Sequence, residues 1–378
     1  MKLCIFPNDP IIAYYNKGEI KERYFNPANF FDEVHIISFS DEEVEESKVQ
    51  KIVGDAKLKI HKVGKINIKN RKKETSKILQ LVKQISPNVI RSYNPLVQGW
   101  IAAYIAKELK IPFYVSLHTQ YDHNRRLARK SNLKKFLALK YTEKFIEPFV
   151  LKNADKITIV FKIIEPYVNK HCKIKPELLH NRIEYERFVN AVPIQSLPNP
   201  LVISVGSLIE EKYPQCIIQA MEKIDANCLI IGNGPLHDEL INMIKKNNLE
   251  LKVAIKKSVP NSEIQNYYKS ATVFALAYDP ELEGIPMPIM EAMASGLPVI
   301  IPFPKKEFSE GLENNVVFTE RNPENFAKAI KQVLDDDGLR KELVQKSLEK
   351  AKEFDSVVLE KREAEIYKEI ITQGKIRA

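Results

Sequence analysis

Residues 278–300 read YDPELEGIPMPIMEAMASGLPVI. The run before them, TVFALA (272–277), has the apolar, β-rich character of a buried strand, and LPVIIP (297–302) has it again. Between these runs, Pro286 and Pro288 stand where a missing amide costs a helix least, in its first turn. A loop therefore leaves one strand, a helix opens near residue 287, and a Gly-Leu-Pro turn leads into the next strand. Strand, crossover helix and strand are the unit of a parallel sheet covered by helices.

The same rhythm runs outward in both directions. Before residue 190 the strand-like runs are 2–7, 34–39, 88–92, 112–117 and 155–160, with helical patterns at 72–86, 96–110 and about 128–152. After residue 200 they are 201–207, 228–234, 253–255, 272–277 and 297–302. Helices are expected there at 214–223, 235–247, 262–269, 287–295 and 323–335. The segment NAVPIQSLPNP (190–200) carries three prolines and no periodicity, and reads as a linker. The expectation is an α/β chain of two Rossmann-like domains with parallel sheets, 1–190 and 201–355, joined by 191–200. A last helix, 356–378, has spare apolar positions at Val357, Val358, Ile366, Tyr367 and Ile370 and is expected to return to the first domain. A ligand is expected in the cleft between the domains.

The length, 378 residues, suits two cores. No apolar run approaches the roughly 18 residues of a membrane span, and MKLCIFPNDP enters a strand without the leader of a signal peptide. Four cysteines without a CxxC pair read as reduced thiols, so a cytoplasmic location is expected. The charge is lopsided: 35 Lys and Arg against 21 Asp and Glu in residues 1–200, then 23 against 28. The first half is therefore expected to meet something anionic. Arg125, Arg126, Arg129, Lys130, Lys134 and Lys135, interleaved with Leu127, Leu133, Phe136 and Leu137, form a basic amphipathic stretch that suits the surface of an anionic bilayer. A helix with its apolar side in the core fits the same pattern. No nucleic-acid motif accompanies the charge, and no such partner is expected.

Within 278–300, Glu283 lies in the loop and Glu291 inside the helix, seven residues intervening. Amides of Gly284, Ile285 and Met287 at the helix start suit a diphosphate, and a carboxylate such as Glu291 suits paired ribose hydroxyls. From spacing alone, a surface loop followed by an ordinary amphipathic helix fits as well. Asp279 and Glu281 read as an acidic pair open to a metal.

EGIPMPIMEAMASGLPVI (283–300) resembles the signature of the family-four retaining glycosyltransferases. VGSLIEEKYPQCIIQAM (205–221), IIGNGP (230–235), LLHNRIEYERF (178–188), SPNVIRSYNP (86–95) and IPFYVSLHTQ (111–120) resemble further segments of that family, in order. The resemblance implies the GT-B fold and transfer of a sugar from a UDP- or GDP-sugar to a hydroxyl on a glycan, a lipid-linked glycan or a small molecule. It implies retention of anomeric configuration, with no cofactor or metal. It gives Glu283, His118 and Lys212 catalytic roles: Glu283 orients the donor sugar, His118 touches it, and Lys212 neutralises the diphosphate. Ser207, Lys212, Gly284, Ile285, Met287 and Glu291 would bind the donor. His123 competes with His118. Ser207 stands where the family often has arginine, which Arg182 or Lys257 would have to replace. Two alternatives stay open: another GT-B enzyme, such as a nucleotide-sugar epimerase or sugar-phosphate synthase, or a catalytically silent carbohydrate-binding scaffold.

Overall fold

The computed structural model describes residues 1–377, the side chains of Lys130, Ser131 and 375–377 excepted. The chain forms two compact units, Met1–His180 with Leu359–Ala378, and Asn181–Val358. Each is a parallel sheet flanked by helices.

The first sheet holds β1 (Lys2–Phe6), β2 (Glu33–Ser38), β3 (Lys57–Lys62), β4 (Val89–Ser92), β5 (Phe113–Leu117), β6 (Lys156–Ile159) and β7 (Glu177–Leu178), ordered β3-β2-β1-β4-β5-β6-β7. The central strands are buried along their whole length, which is why they stand out as apolar runs. β3, KLKIHK, does not stand out. Its lysines alternate with Leu58 and Ile60, as suits an edge strand with one wet face. The helical stretch expected at 128–152 is three helices, Tyr121–Ser131, Leu133–Phe145 and Glu147–Lys152. The first break is at Asn132, whose backbone is extended and whose side chain accepts from the Lys135 amide; the second precedes Pro148.

The second sheet holds β8 (Leu201–Val205), β9 (Asn227–Ile231), β10 (Val253–Lys256), β11 (Val273–Ala275), β12 (Val299–Pro302) and β13 (Val317–Thr319), ordered β10-β9-β8-β11-β12-β13. Alternation splits its core in two. Val202, Cys228 and Ile230 join one apolar cluster, while Leu201, Ile203, Leu229 and Ile231 join the other. Residues 191–200 pack on this unit rather than standing apart: the Ile194 amide donates to Ser270 Oγ at 2.7 Å, and Ile194 and Leu197 lie against the core. The chain passes between units at 180–181 and 358–359.

The C-terminal helix, Ser356–Arg377, buries Ile366, Tyr367 and Ile370 in the first unit's core. It also carries acids to buried cations. Arg91 on β4 is 3% exposed and pairs with Glu363, 6% exposed. Its guanidinium donates to Tyr367 Oη at 2.7 Å and to Ser116 Oγ at 2.8 Å, and lies 4.2 Å from the Tyr93 ring centroid and 4.5 Å from that of Tyr114. A cation so enclosed is tolerable only while paired. Glu363→Ala should therefore destabilise the chain by about 3–5 kcal/mol. Urea denaturation would measure it, and the double variant Arg91→Leu with Glu363→Leu should regain part of the loss.

Candidate functional site

Sequence order reverses beside β8: β9 and β10 lie on one side, β11 to β13 on the other. The crevice at such a reversal, outside the carboxyl ends of the strands, is where open parallel sheets bind ligands. Three loops meet there, after β8, β9 and β11.

The first two are joined backbone to backbone. The Gly206 amide donates to Ile231 O at 3.0 Å, the Leu208 amide to Asn233 O at 2.9 Å, and the Leu236 amide to Leu208 O at 3.2 Å. A Cβ on Gly232 would stand 1.8 Å from Gly206 O, and one on Gly234 would stand 2.3 Å from Leu208 O. The glycines of IIGNGP are thus required by close approach of two main chains. Ser207 lies exposed on this seam.

Beyond it the chain makes one 3-10 turn, Glu210–Lys212, and Tyr213 takes the left-handed conformation, φ 43°. Arg321, after β13, holds this turn. Its Nε donates to Ala277 O at 2.8 Å, one terminal nitrogen donates to Glu211 O at 3.0 Å, and its guanidinium carbon lies 5.2 Å from the Tyr213 ring centroid. The Asp279 amide adds a bond to Glu211 O at 2.8 Å. The loop after β8 is thereby tied to the loop after β11, and the Lys212 ammonium meets the Glu283 carboxylate in an ion pair.

The loop after β11 is braced from within: Tyr278 Oη donates to Gly284 O at 2.8 Å. Burial pushes the Tyr278 phenol well above its ordinary pKa, so it stays a donor. Among the described residues, the amides of Gly284, Ile285 and Met287 donate no hydrogen bond. The helix Met287–Ala294 opens from them, with Pro286 as its N-cap. Glu291, one turn in, accepts at 3.0 Å from Tyr268 Oη, a fully buried phenol. Lys212, Glu283, the three amides and Glu291 are therefore grouped in one unit. Asp279 and Glu281 are engaged elsewhere: Asp279 accepts from the Glu281 amide at 2.9 Å, and Glu281 pairs with Lys305 at 3.2 Å.

Tyr278, Tyr268 and Arg321 are the positioning side chains that sequence reading missed. Tyr278 stands in the quoted stretch, but nothing there shows its phenol turning back to Gly284. A cavity of about 1120 Å³ opens at the opposite, amino-terminal edge of the same sheet, bordered by Lys223, Lys269 and Lys331. Helices end beside it, with Lys223 and Lys269 in their last turns, where a cation complements the carbonyl ends. It is on the wrong edge for the sheet's ligand.

His118 lies in the first unit, just past β5. Its ring stacks on Tyr93, centroids 5.4 Å apart, and its Nε2 is buried without a hydrogen-bond partner among the described residues. Burial, with the Arg91 cation adding to it, brings its pKa down to about 3, so the imidazole is neutral. His123 lies on the following helix, its amide capped by Gln120.

Residues 191–350 match the family model for glycosyl transferases group 1. An uncharacterized glycosyltransferase of Methanocaldococcus jannaschii is 25% identical over 71% of this chain and 71% of its own length. Alpha-monoglucosyldiacylglycerol synthase of Streptococcus pneumoniae is 25% identical over 60% of this chain and 54% of its own. The structure of HepE from Anabaena, in complex with UDP, superposes with a TM-score of 0.73 at 14% identity, covering 98% of this chain and 100% of that one.

The neutral state of His118 has a consequence in acid. Its pKa in the folded chain lies below the unfolded 6.5, so the unfolded chain takes the proton first. Stability linked to His118 is complete above about pH 6.5 and is lost as pH falls toward 3. His118→Gln should show a smaller fall in urea midpoint between neutral and mildly acidic buffer than the parent chain; equal falls would contradict a buried neutral imidazole.

Residues 191–350, most of the second unit, thus match the group 1 glycosyl transferases, and the two parallel-sheet units have the fold of the GT-B glycosyltransferases.

Proposed function

We propose that the chain transfers a sugar from a nucleotide diphosphate donor to a hydroxyl, with retention of configuration and without a metal. One observation carries this reading. At the carboxyl end of a parallel sheet, beside its reversal point, an ammonium and a carboxylate meet next to three amides that open a helix and donate no hydrogen bond among the described residues.

The amides of Gly284, Ile285 and Met287, with the helix dipole behind them, and Lys212 bind the diphosphate. Ser207 on the seam serves the same group. As the bond from the anomeric carbon to the diphosphate breaks, negative charge grows on the leaving oxygen, and Lys212 stabilises it. The acceptor oxygen bonds to the same face, and its proton passes to the departing phosphate. Glu283 orients the donor sugar, and its pairing with Lys212 keeps both groups in place before the donor arrives. Glu291, held by Tyr268, takes the ribose hydroxyls. His118, with its neutral ring, is a hydrogen-bonding group for the sugar.

UDP in the HepE complex supports a nucleotide-linked donor. The diacylglycerol product named for the pneumococcal relative supports an acceptor that is a lipid or is carried on one. Among the described residues, no helix is long and apolar enough to cross a membrane. Free cysteines, three of them buried, fit a reducing compartment. We place the chain in the cytoplasm, at the inner membrane face.

Glu283→Gln and Lys212→Ala should each lower kcat by orders of magnitude while the melting temperature stays close to that of the parent; near-normal turnover in both would overturn the assignment. Tyr268→Phe should weaken nucleoside diphosphate binding about three- to tenfold, the worth of one oriented hydrogen bond, as read by calorimetry. Conversion of the donor without any acceptor would point instead to an epimerase.

A further inference from the structure

The helix Leu133–Phe145 is apolar on two faces. Phe136 and Leu139 are half-buried, and Thr142 is buried. Leu133, Leu137, Tyr141 and Phe145 recur every fourth residue and face outward, 66%, 59%, 39% and 53% exposed. Leu127, on the preceding helix, is 40% exposed. Single exposed apolar residues need no explanation, but a stripe along one helix face does.

Its charge frame has one sign. Lys134, Lys135 and Lys144 are exposed on the same helix, and Arg126 and Arg129 on the one before. Lys144 lies over the Phe145 ring at 5.3 Å. The helix's one acid, Glu143, is turned inward: it pairs with Lys140 at 2.8 Å and Lys170 at 2.7 Å, and lies 3.6 Å from Arg125. Arg125, expected among the membrane-facing cations, is not one of them. It is 4% exposed and makes two 2.9 Å bonds to the fully buried Glu147. Lys130 is another of those expected cations, but its side chain lies outside the described ones.

We propose that this face docks on an anionic lipid bilayer, with Leu133 and Leu137 entering the acyl boundary and Phe145 with Tyr141 at headgroup depth. Tyr141 is held for this by Arg71, which donates to its Oη at 3.0 Å. The cations around the stripe meet lipid phosphates, as their uniform sign requires of the partner. A second protein chain would bury the same leucines, but it would have to supply an acidic surface; a second copy of this chain would bring the same cations against them. The proposal deepens the lipid-acceptor reading above. Its test does not pass through catalysis, so the two fail separately.

The full chain would be mixed with vesicles of phosphatidylglycerol and phosphatidylcholine, and with vesicles of phosphatidylcholine alone, and followed by flotation. Strong binding is expected to the anionic vesicles only, weakening as salt rises. Leu133→Ser with Leu137→Ser should cut it at least about tenfold, and Lys134→Glu with Lys135→Glu should do likewise, while melting temperature and UDP binding stay at parental values. Absence of vesicle binding at low salt would overturn the proposal, as would undiminished binding by both variants. A parental dimer that the leucine variant dissolves, seen by sedimentation, would also overturn it in favour of a second copy.

Discussion

The candidate site depends on a place where two main chains touch. Gly232 and Gly234 have no room for a Cβ, because the loop after β8 runs directly against them. That contact fixes where residues 206–208 leave the sheet, and the next few residues have little freedom left. Tyr213 accepts a left-handed backbone, and Arg321 holds the turn by bonding Glu211 O within it and Ala277 O after β11. Lys212 can then only project toward the loop after β11. The ion pair with Glu283 is the outcome of main-chain packing, and this suits a group that must meet a fixed diphosphate without reorganising.

The first unit shows the same economy at a different point. Arg91 sits inside a ring of Tyr93, Tyr114 and Tyr367 and is neutralised by Glu363. Burial keeps the neighbouring His118 neutral, and the positive charge of Arg91 adds to that effect. The last helix thus contributes more than apolar burial. Without Glu363 the cation under the His118 loop would have no counter-ion.

What sequence reveals follows from how local the causes are. Strands buried on both faces, such as Ile203 and its neighbours or Val299–Pro302, stand out because burial dictates every residue in them. β3, β7 and β13 went unread for opposite reasons: the first alternates with lysine, and the other two are two and three residues long. The helix Asp337–Ala351 went unread as well, its polar side outweighing Leu343 and Ala351. The donor-site pattern from Glu283 to Glu291 was legible through its resemblance to a known signature. Arg321 was not, since it acts on carbonyls 44 and 110 residues away and any residue offers a carbonyl. Tyr268 reaches Glu291 across 23 residues and looks in sequence like one more core aromatic.

The basic stretch was legible as chemistry and misleading as geometry. Counting charges over 125–137 gives Arg125 the same weight as Lys134, yet one is sealed against Glu147 and the other stands in solvent. Apolar residues mislead in the same way. A helix with leucines on opposite sides has little amphipathic character, and such helices are ordinarily buried all round. Here only one side is covered. The outward leucines are intelligible when the cations beside them are counted face by face instead of along the chain.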